Sequence, residues 1–103
     1  MSAKNLIFVL GLLVAVTNST ATRAAGAGEV CGGIAGVRCD KGLWCDPSPG
    51  SCGVADAPGT CVKIGNLCPQ LIMPVCGCNG KTYNNDCERR KSRVGKKSDG
   101  RCG

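Results

Sequence analysis

The residues best suited to chemistry in this 103-residue chain lie between Cys68 and Cys87, which read CPQLIMPVCGCNGKTYNNDC. Seven residues separate Cys68 from Cys76, and a tight Asn-Gly pair, a Tyr and an Asn-x-Cys follow. Cysteines at both ends of so short a segment display a peptide in one rigid conformation, the presentation that a protease-binding loop requires. Any bond chemistry would be the partner's. The chain has no His, an even number of cysteines and no carboxylate pair in a recognisable motif. No nucleophile and base can be assembled from these residues, so no catalytic residue and no enzyme activity are expected. Cys76-Gly77-Cys78 lacks a matched second pair, which leaves disulfides favoured over a thiolate metal site; no metal and no cofactor are expected.

The elements that position this segment cannot rest on a large apolar core. Ten Cys but only one Trp, one Tyr and one Phe are present, so covalent staples must replace much of the core, each adding about 2 to 4 kcal/mol. An oxidising compartment is implied. Lys4 followed by the uncharged run Leu6 to Val16 reads as a signal peptide, because eleven apolar residues fall short of the roughly 20 needed to span a bilayer. Cleavage after Ala21, Ala24 or Ala27 would leave small residues at the inspected positions. Ala24 is favoured, giving a signal peptide over 1–24, and an uncleaved membrane anchor is the alternative. The expected location is extracellular, or periplasmic in a bacterium, with no stable membrane anchoring after cleavage.

Without residues 1–24, which hold Lys4 and Arg23, eleven basic residues face seven acidic ones. Much of the excess lies in ERRKSRVGKK, Glu88 to Lys97, which reads as the solvated face of a short helix. No aromatic residue is interleaved for base stacking, so no nucleic acid partner is expected. Trp44 is read as a packing residue.

Composition divides the remainder into two cysteine-rich pieces, 25–62 and 63–103. The first is dense in Gly and Pro, has DPSPG and DAPG turn signals and shows no sustained period, and so reads as loop-like. In the second, Val75 to Cys78 and Lys81 to Tyr83 flank Asn79-Gly80, the pair suited to a two-residue type I′ hairpin. A short helix over Cys87 to Arg93 should follow, capped by Asn85 or Asp86 and ended by Gly95.

PVCGCNGKTYNNDC, together with seven residues between Cys68 and Cys76, ten between Cys76 and Cys87, Tyr83 four before Cys87 and a terminal Gly-x-Cys at Gly100 to Cys102, resembles a Kazal-type serine protease inhibitor domain over about residues 63–103. The implied fold is small and disulfide-rich: Kazal-like α+β, a short hairpin plus one short helix, preceded by a loop-rich disulfide module. Family pairing would join Cys68 to Cys87 and Cys76 to Cys102. The usual helix cysteine is missing, with Arg90 about where it would stand, and Cys78 is extra. The first piece, with Cys-Gly-Gly, Cys-x-x-Gly-Leu-x-Cys from Cys39 to Cys45 and Gly-x-Cys-Val from Gly59 to Val62, is similar to the modules of insulin-like growth factor binding proteins. That likeness suggests Cys31 with Cys45 and Cys39 with Cys61, leaving Cys52 and Cys78 to staple the two pieces. Ten cysteines permit about 945 pairings.

The resemblance implies a secreted, monomeric serine protease inhibitor that acts as a substrate held rather than consumed. Its reactive bond would be Gln70-Leu71, in a loop of Cys68, Pro69, Ile72, Met73 and Pro74, supported by Asn85 and Tyr83. Many family members carry Thr and an acidic residue beside the specificity residue; Pro69 and Leu71 stand there instead. Neutral Gln70 offers no ion pair to a trypsin pocket, so subtilisin-like or elastase- and chymotrypsin-like proteases are favoured over trypsin as partners. The alternatives are a non-inhibitory follistatin-like binding module and, more remotely, a toxin-like channel ligand.

Overall fold

A computed structural model describes residues 23–103, and the expected signal peptide therefore lies almost wholly outside the described residues. Two small antiparallel sheets organise the described residues. The first contains β1 (Val30–Gly32), β2 (Leu43–Pro47) and β3 (Pro58–Lys63) in the order β1-β3-β2. Its register sets Cys45 opposite Cys61 and Cys31 opposite Gly59, which brings three cysteines to one face. Bridges Cys31–Cys45 and Cys39–Cys61 close that face. Ala25, Cys31 and Cys61 are buried there, with Val37 and Leu43 packed against them, so sulfur makes up most of this core.

The first piece is thus more ordered than its composition implied. The inward positions of β3 are Gly59 and Cys61, residues that add little to an apolar count, so the period of two is present in burial but faint in sequence. Gly59 is required by close approach, since a Cβ there would run into the Asp46 carbonyl on β2. Trp44 lies half-buried opposite Val62 on the face away from the sulfur cluster and is not part of the core.

The second sheet contains β4 (Val75–Gly77), β5 (Thr82–Tyr83) and β6 (Lys96–Asp99) in the order β5-β4-β6, with β4 fully buried. The turn between β4 and β5 differs from the expected type I′. Only Gly80 takes a positive φ, Gly80 N–H donates to Gly77 O (2.9 Å), and Gly77 N–H donates to Lys81 O (2.9 Å). This is a longer loop that ends on a left-handed glycine. Asn79 leaves the left-handed region because its side chain accepts from Lys81 N–H (3.1 Å) and donates to the Tyr83 hydroxyl (2.9 Å).

Helix α1 spans Asp86–Lys91. Six residues are too few to hold a helix alone, and its support is external. Asn85 caps the N-terminus, Asp86 and Glu88 lie in the first turn, and Arg89, Arg90 and Lys91 lie in the last, where each charge suits the helix dipole. The helix ends earlier than expected: Ser92 is its C-cap and Arg93, at φ 54°, makes the left-handed turn assigned in sequence to Gly95. Gly95 instead faces the first sheet, where a Cβ would sit 3.3 Å from Cys78 Sγ and 3.4 Å from Pro47 Cγ.

Candidate functional site: a doubly bridged loop

The chain leaves β3 at Lys63 and enters the exposed loop 68–74 before β4. The loop is tied at both ends, by Cys68–Cys87 into α1 and by Cys76–Cys102 to the C-terminal strand region. With Cys52–Cys78, these complete five bridges that use all ten cysteines. The Sγ atoms of Cys31, Cys39 and Cys61 lie close together, but each is already in a bridge and supplies no thiolate to a metal.

Pro69, Gln70, Leu71, Ile72 and Met73 are exposed, with Ile72 and Met73 at 63%. Apolar side chains remain in solvent here because the backbone beneath them is fixed. Asn85 is 5% exposed and its amide is fully used. Nδ2 donates to Pro69 O (3.2 Å) and Leu71 O (2.7 Å), while Oδ1 accepts from Glu88 N–H (2.9 Å) as the helix cap. Farther along, Met73 N–H donates to Asn84 O (2.7 Å) and Gly100 N–H donates to Pro74 O (2.8 Å). Among the described residues nothing donates to the Gln70 carbonyl, which lies between the two that Asn85 holds. Beneath the loop is an open cavity of about 590 Å³, lined by Leu71, Met73 and Val75 and rimmed by Asp86 and Asp99.

Tyr83 lies half-buried on β5 opposite Val75, and its hydroxyl holds Asn79. It therefore supports the hairpin turn; the loop backbone is held by Asn85. Thr82, not singled out from sequence, accepts from Cys102 N–H (2.9 Å) and anchors the terminal bridge.

The basic run Glu88 to Lys97 is not merely a solvated face. Arg89 is 1% exposed and spends its guanidinium on Asp46 Oδ1 (2.9 Å) and Oδ2 (3.1 Å), Asp86 Oδ1 and Val94 O (2.8 Å). Arg90 Nε also donates to Asp46 Oδ2 (2.9 Å). Lys96 Nζ continues the chain of charges to Asp86 (3.2 Å) and Asp99 (2.8 Å). Burial works against the charge of Asp86, but hydrogen bonds from Arg89 and Lys96 outweigh it and hold its carboxyl below the ordinary value. The Lys96 ammonium is held above its ordinary value, first by Asp99, then against partial burial by Asp86. The Asp86-Arg89 spacing of three on a helix was readable. Asp46, 43 positions away from Arg89, carried no signal.

A bridged, exposed loop over a capped helix and a three-stranded sheet defines a small disulfide-rich domain, and comparison with known proteins shows what that domain is similar to. Residues 56–102 match the family model of the Kazal-type serine protease inhibitor domain. The matched family is one of inhibitors, not enzymes. The chain is 36% identical over 67 residues to the ovoinhibitor of Gallus gallus, covering 56% of this chain and 13% of that protein. It is 75% identical over 20 residues to a Kazal-type trypsin inhibitor of Aedes aegypti, covering 19% of this chain and 22% of that protein. Against serine protease inhibitor Kazal-type 12 of Mus musculus the identity is 42% over 50 residues, covering 42% of this chain and 58% of the relative. In each case the chain spans less than two thirds of the relative's length.

Proposed function

We propose that the protein is a secreted serine protease inhibitor that presents loop 68–76 as a substrate, with Gln70-Leu71 as the reactive bond. The observation that carries this reading is the pair of hydrogen bonds from Asn85 to Pro69 O and Leu71 O. They grip the backbone on both sides of the Gln70 carbonyl and leave that carbonyl free for a protease's oxyanion hole. After acylation at Gln70, the amine of Leu71 stays tethered: its own carbonyl is bound to Asn85, Met73 N–H to Asn84, and Cys76 to Cys102. A reactant held in this way acts at an effective molarity of up to about 10⁵ to 10⁸ M, so religation competes with hydrolysis. A loop already fixed also loses little entropy on docking, where each side chain newly immobilised would cost about 0.5 to 1.5 kcal/mol.

Gln70 fills the specificity pocket under this reading, and Leu71, Ile72 and Met73 run along the leaving-group side. A trypsin-type pocket rewards a cation that Gln70 lacks, so subtilisin-like and elastase- or chymotrypsin-like proteases are the preferred partners of a monomeric inhibitor. The division at residues 62 and 63 into a growth-factor-binding-protein-like module and an inhibitor domain is part of the same proposal. It is supported by two sheets that each hold their own bridges. Ala25 is 6% exposed, donates from N–H to Arg38 O and accepts from Asp40 N–H. Cleavage of the signal after Ala27 would remove this core residue, which favours Ala24 or Ala21. Titrating a panel of subtilisin-, elastase-, chymotrypsin- and trypsin-like enzymes with the oxidised protein tests the function: inhibition strongest outside the trypsin class is expected. Failure to slow any of them at micromolar concentration sinks it.

A further inference from the structure

Residues 46–52, in the first of the two pieces, reach the second by three separate ties. Asp46 binds Arg89 and Arg90, Gly50 N–H donates to Lys96 O (2.8 Å), and Cys52 is bridged to Cys78. We propose that Asp46 is a positioning residue for the reactive loop, so that the inhibitory unit extends into the first module; this deepens the inhibitor reading and rests on it.

The route from Asp46 to the loop is short and continuous. Asp46 is 8% exposed and both its oxygens are occupied by guanidinium donors. Arg89 N–H donates to Asn85 O (3.1 Å) in the first helical turn, and the Asn85 side chain holds Pro69 O and Leu71 O. One carboxylate therefore sets the depth and roll of the six-residue helix whose cap is the loop's support. Cys87–Cys68 pins the helix to the loop, but a single bridge permits rotation about itself. Arg90, where the family likeness would place a helix cysteine, completes an ionic clamp in place of a covalent one. A buried carboxylate matched to two guanidiniums is directional, and removing its charge takes from Arg90 its ion-pair partner among the described residues and leaves Arg89 paired with Asp86 alone.

The test compares Asp46→Asn, Asp46→Glu and Leu43→Ala in the full oxidised chain. Leu43 packs on the first module's sulfur core and takes part in none of the hydrogen bonds or the bridge that form the three ties. Peptide mapping checks that the five bridges are intact, and thermal unfolding ranks global stability. Two readouts address the link. The first is the equilibrium ratio of cleaved to intact Gln70-Leu71 with a protease that the wild type inhibits. The second is hydrogen exchange of the Asn85 side-chain amide, followed by NMR on the protein alone. Asp46→Asn is expected to shift the ratio toward cleaved chain and to speed Asn85 exchange by about tenfold each, the effect of ~1.4 kcal/mol of lost preorganisation. Asp46→Glu is expected to recover part of both, and Leu43→Ala to lower the unfolding temperature while moving neither. Wild-type ratio and exchange in Asp46→Asn would overturn the proposal, as would equal changes in Leu43→Ala. If the wild type inhibits nothing, the inhibitor reading fails by itself, and Asn85 exchange still decides whether Asp46 positions the loop.

Discussion

Asn85 performs two tasks with one amide, and they can be separated. Its Oδ1 caps α1 and its Nδ2 holds the loop. Asn85→Asp keeps a good capping group but replaces the donor with an oxygen that faces two carbonyls. The loop should loosen while the helix persists, at a cost of about 1 to 3 kcal/mol for the unpaired groups. Far-UV circular dichroism should change little, and cleavage of Gln70-Leu71 by a target protease should accelerate; a lost helix signal would show that the cap had failed instead. Within the loop, Gln70→Arg should create trypsin inhibition, measured as an inhibition constant, because it supplies the cation that a trypsin-type pocket rewards. The contact of Asn85 with the loop was legible in sequence through its spacing from Cys87. Arg89 was not, since a cation in a basic run looks solvated until its buried partner, 43 positions away, is known.

Helix α1 and strand β6 are joined by charges whose titration sets a pH window. The Asp86 carboxyl titrates lower when folded than its ordinary value of 3.8. Its contribution is therefore full above that value and is lost as pH falls through the lower, folded value. For Lys96 the folded value lies above the ordinary 10.5, so its contribution is full below 10.5 and is lost as pH rises through the folded value. Unfolding temperature followed by near-UV circular dichroism should be level through neutral pH and should drop at both extremes. Asp86→Asn should flatten the acid limb, and an acid limb identical to wild type would exclude the Asp86 pairing as its source. The existence of this helix was legible, and its cap was narrowed to Asn85 or Asp86, of which Asn85 is the one used. Its early end was hidden, because Arg93 took the left-handed turn for which Gly95 was the obvious choice. The hairpin was equally visible in Asn79-Gly80, but its turn type depended on Tyr83 and Lys81 as partners of Asn79.

Across the described residues, two sheets with little apolar core are joined by one bridge and by buried charge. The Cys52–Cys78 bridge closes a separation of 26 residues, for which chain entropy alone predicts about 3.5 kcal/mol. Cys52→Ser with Cys78→Ser should lower the unfolding temperature with the other four bridges retained, measured by calorimetry and peptide mapping. The sheet of the first piece was the least legible part of the fold, since glycine and cysteine occupy its inward positions and turn signals dominate its composition. The most direct test of the central claim is religation. Chain cleaved only at Gln70-Leu71, with its bridges intact, is incubated with a catalytic amount of a protease that the intact protein inhibits. The loop geometry predicts that the Gln70-Leu71 bond is resynthesised, with cleaved and intact starting material converging on one ratio. Cleaved chain that remains wholly cleaved, while intact chain is hydrolysed to completion, would contradict it.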